Sequence, residues 1–399
     1  MSIKEDYVIN VLNDIVILDA SEGIAGPYCS MLLQNMGARV IKLEFDQYTD
    51  ARNDVRYQLW NRGKEQFSLN LEKPDSKSIL SELIKISDVI ILDGIESELS
   101  INELDYESVR NHNDNIIYCI IPPFSSTGPY KERHGNEYSV GAAFGLMGDQ
   151  GDDGIPEFVR VPTAAYGAAF NSSYHITAAL LWKEIHNEGK KIEISLSHSA
   201  MVMQSAQFMT GMNLPVRKPI IRDGIRAGVP IYRLFKAKDG WFFLAGGNPS
   251  FWNKLCIGLE LEELVIDERF IDAPWGIPAE YHLELAEIFE PIFRKKTLEY
   301  WEEFMKLTDI PFAKVGTKSE YINHEQMSHN KTIESFNNNN LGNTKQISNI
   351  VYFDGGKTEI NPLVKPTGFD NNKILTEIGY TQKEINHFKD KNIIYGNNE

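Results

Sequence analysis

The fold is decided by residues 11–44, which read VLNDIVILDASEGIAGPYCSMLLQNMGARVIKLE. Ile15–Asp19 is a short apolar run rich in β-branched residues and predicts a buried strand. Ser21–Pro27 contains two glycines and predicts a loop, Tyr28–Met36 has apolar residues at helical spacing, and Ala38–Glu44 predicts a second strand. Together these elements form a βαβ unit. Its loop is either a plain turn or an approach to a nucleotide or phosphate, and the spacing leaves both readings open.

Strands and helices continue to alternate after this unit. Asp75–Ile86 predicts an amphipathic helix, Val89–Leu92 and Asn115–Ile121 predict buried strands, and a long alanine-rich helix ends near Gly189. This alternation is typical of a mainly parallel sheet. We therefore predict an α/β fold, with a Rossmann-like large domain whose first part is residues 1–212.

A second, smaller α+β domain is predicted over residues 230–325, after a linker at 213–229 that is rich in proline, glycine and arginine. Tyr232–Phe235 and Trp241–Ala245 flank Lys238-Asp239-Gly240, which is a strong hairpin signal. A length of 399 residues agrees with two domains as a prior.

Composition excludes several function classes. The net charge of −16 argues against nucleic acid and anionic membranes as partners. Cys29, Cys119 and Cys256 are far apart and form neither a metal-binding spacing nor a disulfide framework, so we expect no metal and a reducing cytoplasm. The segment MSIKEDYVIN lacks the apolar core of a signal peptide, and no uninterrupted apolar run approaches the ~20 residues that span a bilayer.

The sequence of residues 18–44, LDxxxGIAGPYCSMLLQNMGARVIKLE, resembles the N-terminal segment of class III CoA-transferase family members. This family includes formyl-CoA transferase, carnitine CoA-transferase and methylacyl-CoA racemase. Similar matches recur at Asn61–Lys64, Phe124–Pro129, Tyr232–Asn248 and Ile374–Tyr380, so the resemblance covers most of the chain. It implies CoA or an acyl-CoA as substrate, a dimer of interlocked rings, and a return of residues 326–399 to the large domain.

The resemblance fails at the nucleophile. In the family an aspartate forms a mixed anhydride with the acyl group of the thioester, because a carboxylate is both a nucleophile and a leaving group. Val161–Ala164 matches the segment before this aspartate and Ala178–Leu180 matches the segment after it, which places Ala165 at the aspartate position. A methyl group cannot attack a thioester, and residues 161–169 contain no acid. We therefore expect no catalytic residue at this position.

Racemase chemistry is also unsupported. The racemase branch uses the histidine of a "GHD" segment as an acid/base group, and here the segment is Gly135-Asn136-Glu137. Asn136 has no titratable proton, and His134 is one residue early and more typical of a polar loop. Glu137, Asn136 and His134 remain as weak fallback candidates, with Glu137 as a base.

The expected CoA contacts are altered as well. Phe45 stands where the family commonly has a basic residue, and Asp93 stands where the family has the "ENF" segment near the nucleotide. An aspartate there would repel a polyphosphate. Ala25 and Gly26 in the first loop, and Gly246 and Gly247 in the second, remain candidates for CoA binding. Tight turns would explain the glycines equally well.

Three hypotheses follow. In the first, the chain is the non-catalytic subunit of a heteromeric CoA-transferase, paired in a heterodimer or heterotetramer with a homologous subunit that carries the aspartate. In the second, it is an enzyme with different chemistry on a CoA thioester, such as a lyase, hydrolase or isomerase, with Glu137 as base. In the third, it is a catalytically silent binding protein that pairs with itself.

Overall fold

The computed structural model describes residues 10–45, 52, 54–148, 150, 155–206, 220–222, 225–227, 230–338, 342–354, 356 and 358–396. The chain forms two compact units. Unit 1 comprises residues 1–150, 157–205 and 326–399, and unit 2 comprises residues 151–156 and 206–325. The second unit is thus inserted between two segments of the first.

Unit 1 contains a six-stranded sheet in which every neighbouring pair is parallel. The strands are β1 Val16–Asp19, β2 Arg39–Glu44, β3 Glu65–Ser68, β4 Val89–Asp93, β5 Ile117–Ile121 and β6 Lys191–Glu193, in the order β3-β2-β1-β4-β5-β6. This order confirms the predicted Rossmann-like sheet. The direction of winding reverses between β1 and β4, and ligands of such sheets bind in the crevice at that point.

The helices of unit 1 that precede the insertion are α1 Ala25–Gln34, α2 Val55–Trp60, α3 Ser76–Lys85, α4 Glu96–Ile101, α5 Tyr106–His112, α6 Glu137–Ala143, α7 Thr163–His186 and α8 Leu196–Val202. Helix α1 begins at Ala25 and not at Tyr28 as predicted. Pro27 thus lies in the first turn, where a helix tolerates proline because the N–H that proline lacks would have no partner in the helix.

Helix α7 has two contrasting faces. On one side Ala165, Ala168, Ala169 and Ala179 are buried and pack in one apolar cluster with residues of α1, β4 and β5. On the other side Phe170, Tyr174, Leu181 and Ile185 are 49%, 70%, 63% and 65% exposed. These four residues recur at about helical spacing and form a single apolar row, which we call the α7 stripe.

A buried carboxylate joins the first three strands. Asp19, at the end of β1, is fully buried and accepts hydrogen bonds from Lys64 Nζ at 2.8 Å and Ser30 Oγ at 2.6 Å. Lys42 Nζ of β2 lies 3.5 Å from the same carboxylate. Burial alone would raise the pKa of Asp19, but Lys42 and Lys64 outweigh it and hold the pKa well below its usual value of 3.8. The stability that this aspartate contributes is therefore complete at neutral pH and is lost only as the pH falls below that value.

The end of the chain covers the outer strand of this sheet. Asp370 accepts a hydrogen bond from the Gln66 backbone at 2.9 Å, and Asn371 accepts one from the Ser68 backbone at 3.0 Å. The carbonyl of Ile393 accepts another from Asn70. Side chains and backbone of residues 370–396 thus accept hydrogen bonds from backbone N–H groups in and next to β3, at the edge where the sheet has no further strand.

The remaining elements follow in chain order. Unit 2 has the short pair β7 Ile220–Arg222 and β8 Ile225–Ala227, then β9 Tyr232–Lys236, β10 Trp241–Ala245, α9 Pro249–Gly258, α10 Glu263–Ile266, α11 His282–Phe293, α12 Leu298–Thr308, β11 Phe312–Lys314 and α13 Lys318–Ile322. Helix α14, Glu325–His329, comes next. The last segment of unit 1 contains the hairpin β12 Ile333–Asn338 and β13 Gly342–Ile347, and the helices α15 Asn371–Glu377 and α16 Gln382–Asp390.

Unit 2 has its own apolar core around an antiparallel sheet in the order β11-β10-β9. Strands β9 and β10 pair as the predicted hairpin. The region 213–229, predicted as a linker, lies within unit 2 and contains β7 and β8. Within the described ranges, no helix is long and apolar enough to cross a bilayer. The thiols of Cys29, Cys119 and Cys256 are buried and unpaired.

The Asp19 cluster gives a stability prediction. Lys64→Met removes a fully buried cation that lies 2.8 Å from Asp19, and we expect a loss of about 3 kcal/mol in the free energy of unfolding. Lys77→Met is the matched control, because Lys77 and its partner Glu103 are both about half exposed and should change stability by less than ~1 kcal/mol. Denaturant unfolding measures both, and equal losses would contradict this account of the cluster.

Candidate functional site

A cavity of about 330 Å³ lies where the strand order reverses, at the carboxyl ends of β1, β4 and β5. We call it the small cavity. It is lined by Glu22, Gly23, Ile24, Ala25, Asp93, Gly94, Ile121, Pro123, Gly135, Asn136, Glu137, Tyr138, Ala165 and Leu196. The cavity therefore brings together the first loop, the "GHD"-like segment and Ala165, the residue predicted at the nucleophile position, which are far apart in sequence.

Ala165 forms part of the wall of the small cavity. It is the third residue of α7 and is 1% exposed. Pro162 precedes this helix and contributes no side-chain cap. The structure thus places the residue predicted at the nucleophile position at a helix N-terminus facing a cavity, where a negative charge would be favoured. The side chain itself is a methyl group.

Glu137 supplies the negative charge at this helix end. It is the first residue of α6, and only 6% of it is exposed. Its Oε1 accepts a hydrogen bond from the Ala164 N–H at 3.1 Å and its Oε2 accepts one from the Ala165 N–H at 2.5 Å. Burial raises the pKa of Glu137, although these hydrogen bonds oppose the shift. A carboxylate therefore lies beside Ala165, but it reaches the site from a different helix.

The other two fallback candidates, Asn136 and His134, lie in different surroundings. Asn136 is the N-cap of α6 and accepts hydrogen bonds from the Tyr138 and Ser139 N–H groups at 3.1 and 3.0 Å. His134 has a side chain that is 79% exposed and lies 3.4 Å from Glu98. Asn136 lines the small cavity, whereas His134 does not. Asn136 and Ser139 form a capping box, a sequence pattern from which the start of α6 could have been predicted.

The first loop is held by Asp93. Its Oδ1 accepts a hydrogen bond from the Glu22 N–H at 2.9 Å, and its Oδ2 accepts one from the Gly23 N–H at 2.6 Å. Burial raises the pKa of Asp93, and both hydrogen bonds oppose the shift. In dinucleotide-binding folds the amides of this loop are the groups that hold phosphate. Here a carboxylate of the protein already occupies two of them.

The glycines predicted to bind CoA have close neighbours within the protein. A Cβ at Gly26 would lie 2.1 Å from Ser21 Oγ, so this position requires glycine for packing. Ala25, beside it, is buried and lines the small cavity. In unit 2, a Cβ at Gly246 would lie 2.5 Å from Ile231, and the Gly247 carbonyl accepts a hydrogen bond from Trp275. CoA binding by these four residues stays a prediction.

A second cavity, which we call the large cavity, adjoins the small one. Its volume is about 790 Å³, and it shares Glu22 and Asp93 with the small cavity. Its remaining lining residues are Ala20, Phe45, Asn70, Leu71, Glu72, Glu98, Leu99, Ile101, Asn102, Leu104, Asn392 and Tyr395. Phe45, where a basic residue was expected by resemblance, therefore faces a cavity. Across the described part of the chain, no group of three or more histidine, cysteine, aspartate or glutamate side chains could hold a metal ion.

Comparison with known proteins gives one family. A family model described as CoA-transferase family III matches residues 12–371. The chain is 25% identical to (R)-2-hydroxy-4-methylpentanoate CoA-transferase of Clostridioides difficile, over 96% of this chain and 99% of that protein. It is 24% identical to human alpha-methylacyl-CoA racemase, over 97% of this chain and 98% of that protein.

A solved structure shows the same fold. The crystal structure of a CAIB/BAIF family protein from Brucella suis matches with a TM-score of 0.78, over 92% of this chain and 99% of that chain. The two sequences are 23% identical.

The contact between Glu137 and α7 can be tested by stability. Glu137→Ala removes the acceptor for two buried N–H groups, and we expect the free energy of unfolding to fall by about 2 kcal/mol. Glu137→Gln keeps one acceptor oxygen, so its loss should be smaller. Glu184→Ala, at an exposed position of α7, is the control and should change stability by less than ~0.5 kcal/mol. If Glu137→Ala matched this control, the carboxylate would not hold the helix end.

Proposed function

This chain belongs to CoA-transferase family III, and on that premise we propose that it is the subunit of a heteromeric CoA-transferase that lacks the acyl-accepting carboxylate. A homologous subunit supplies that carboxylate, and the complex moves CoA between an acyl-CoA and a carboxylic acid. The complex works in a reducing compartment, the cytoplasm, which suits three unpaired thiols.

One observation carries the proposal. Ala165 occupies the wall of the small cavity at the N-terminus of α7, with the position and burial suited to a reactive carboxylate but without one. The acyl transfer requires a nucleophile that attacks the thioester carbonyl and expels the CoA thiolate, and a methyl group cannot do so. The cavity, the helix end and the fold therefore remain while the reacting group is absent.

The α7 stripe supports a partner. Four large apolar side chains in one row on one helix are unusual on a surface that contacts only water, because each of them gains free energy when it is covered. The stripe lies on the same helix as Ala165, so a subunit that covers it would be joined to the element that bears the vacant nucleophile position. This arrangement favours a subunit that completes a complex over one that works alone.

The proposal is tested by expressing this chain alone and together with a homologue from the same genome that has the aspartate. We expect no transfer of CoA by the chain alone, and transfer by a complex that native mass spectrometry shows to contain both chains. Labelled carboxylic acid appearing as its CoA ester measures the activity. An active homodimer of this chain would contradict the proposal, and a stable homodimer with no activity and no partner would favour a silent binding protein.

The role of the α7 stripe has its own test. Leu181→Arg places a charge in the middle of the stripe, and we expect at least a tenfold weaker association with the partner, because burying an unpaired charge is costly. Leu307→Arg, at a 77% exposed position of α12 in unit 2, is the matched control and should leave association unchanged. Equal association of both variants would remove the stripe from the interface.

A second candidate function is favoured by Glu137. Its carboxylate lines the small cavity, and its raised pKa makes it a stronger base than an exposed glutamate. In this candidate the chain alone acts on a CoA thioester as a lyase, hydrolase or isomerase, with Glu137 removing a proton. This reaction needs no aspartate at residue 165.

Glu137→Gln separates the two candidates. If the chain alone turns over a CoA thioester, we expect this variant to lower kcat on the order of 10²-fold or more, since glutamine cannot accept the proton. Glu132→Gln, on an exposed side chain outside both cavities, is the control and should have full activity. An unchanged kcat in Glu137→Gln would reject Glu137 as the base.

A further inference from the structure

The large cavity is the space beside the proposed site that is roomy enough for the nucleotide end of CoA. It adjoins the small cavity through Glu22 and Asp93, so a thioester that reaches Ala165 in the small cavity can extend into it. It lies against the crevice at which nucleotide ligands bind in sheets of this strand order. Its chemistry therefore decides which end of a CoA thioester this chain can hold.

The walls of the large cavity are acidic. Glu22, Glu72, Asp93 and Glu98 line it, and no lysine or arginine is among its lining residues in the part of the chain that the structure describes. Lys73 and Lys391 are next in sequence to lining residues but do not line the cavity themselves.

Two amides of the first loop and the nearest lysine already have partners within the protein. The N–H groups of Glu22 and Gly23 both donate to Asp93, and Lys42 Nζ donates to the Ser21 carbonyl and lies 3.5 Å from Asp19. The 3′-phosphate and diphosphate of CoA together carry about three to four negative charges at neutral pH. Such a group would meet four carboxylates, and the described lining of the large cavity contains no lysine or arginine to offset them.

We infer that the large cavity rejects the 3′-phosphorylated ADP of CoA and that this chain binds thioesters through the uncharged pantetheine arm. This inference rests on the proposed function, in which the chain works on CoA thioesters. It makes Glu72 and Glu98 determinants of specificity. In the heteromeric complex the nucleotide of CoA is then held by the partner subunit.

Calorimetry on the full-length chain tests the inference with CoA, dephospho-CoA and pantetheine at about 10 mM salt, where charges interact over a long range. We expect CoA to bind no more tightly than pantetheine, with dephospho-CoA between them or equal to them. Raising the salt should strengthen CoA binding and leave pantetheine binding unchanged, because salt screens repulsion. CoA binding tenfold or more tightly than pantetheine would overturn the inference.

A variant with fewer acids in the large cavity tests the inference by a gain of CoA affinity, so the test does not depend on comparing two weak affinities. In Glu72→Gln/Glu98→Gln, two of the four acids become neutral, and we expect CoA to bind about tenfold more tightly while pantetheine binding does not change. Glu107→Gln/Glu184→Gln is the matched control, since it removes the same charge from exposed positions outside both cavities. A variant that bound CoA no better than this control would overturn the inference.

The proposed function and the inference about CoA binding are contradicted by different results. The proposed function fails if the chain alone transfers CoA or if no partner gives activity, and neither result depends on these affinities. Conversely, tight CoA binding by an inactive chain would overturn the inference and leave the subunit role intact.

Discussion

The burial of one carboxylate constrains this structure more than any other contact. Asp19 has no exposed surface, and a buried charge without partners would cost several kcal/mol. Lys42, Lys64 and Ser30 must therefore lie where they do, and they come from β2, the start of β3, and α1. This requirement ties the end of β1 to β2, to the residue that precedes β3 and to α1, and it also fixes the loop that begins at Ser21. Both cavities have this loop in their walls.

A second carboxylate decides what the site can do. The N-terminus of α7 attracts negative charge, and Glu137 provides it from α6. The N–H groups of Ala164 and Ala165 are therefore paired although the side chain of Ala165 is only a methyl group. Under the proposed function, this pairing explains how the chain keeps its helix end and its cavity without a carboxylate at residue 165.

The sequence predicted the sheet because its strands are local patterns, whereas the assignment of Ala165 to the nucleophile position stays a prediction. The apolar runs of β1, β4 and β5 are contiguous, and Val161–Ala164 precedes Ala165 directly. The start of α1 was missed because Gly26 and Pro27 were assigned to a loop, although a helix tolerates proline in its first turn.

Contacts between distant residues could not be read from local patterns. Asp93 binds the amides of a loop about seventy positions earlier, and Glu137 binds amides in a helix that begins 26 residues later, at Thr163. The β12–β13 hairpin was not predicted either, since its strands, IESFNN and GNTKQI, are largely polar. The family resemblance placed Glu137 near the site but did not show what its carboxylate binds. The features that the sequence did not reveal are mainly tertiary contacts, whereas the correct predictions concern secondary structure and the sheet.

The covering of β3 by residues 370–396 has a consequence for how the protein is made. During synthesis all six strands of the sheet and all of unit 2 are translated before Asp370 and Asn371. Until then β3 presents unpaired backbone groups, which is the condition under which strands join other chains. In the nascent chain the edge of β3 therefore stays uncovered until residues 370–396 are made. A truncation that removes these residues would leave the edge exposed permanently and promote aggregation.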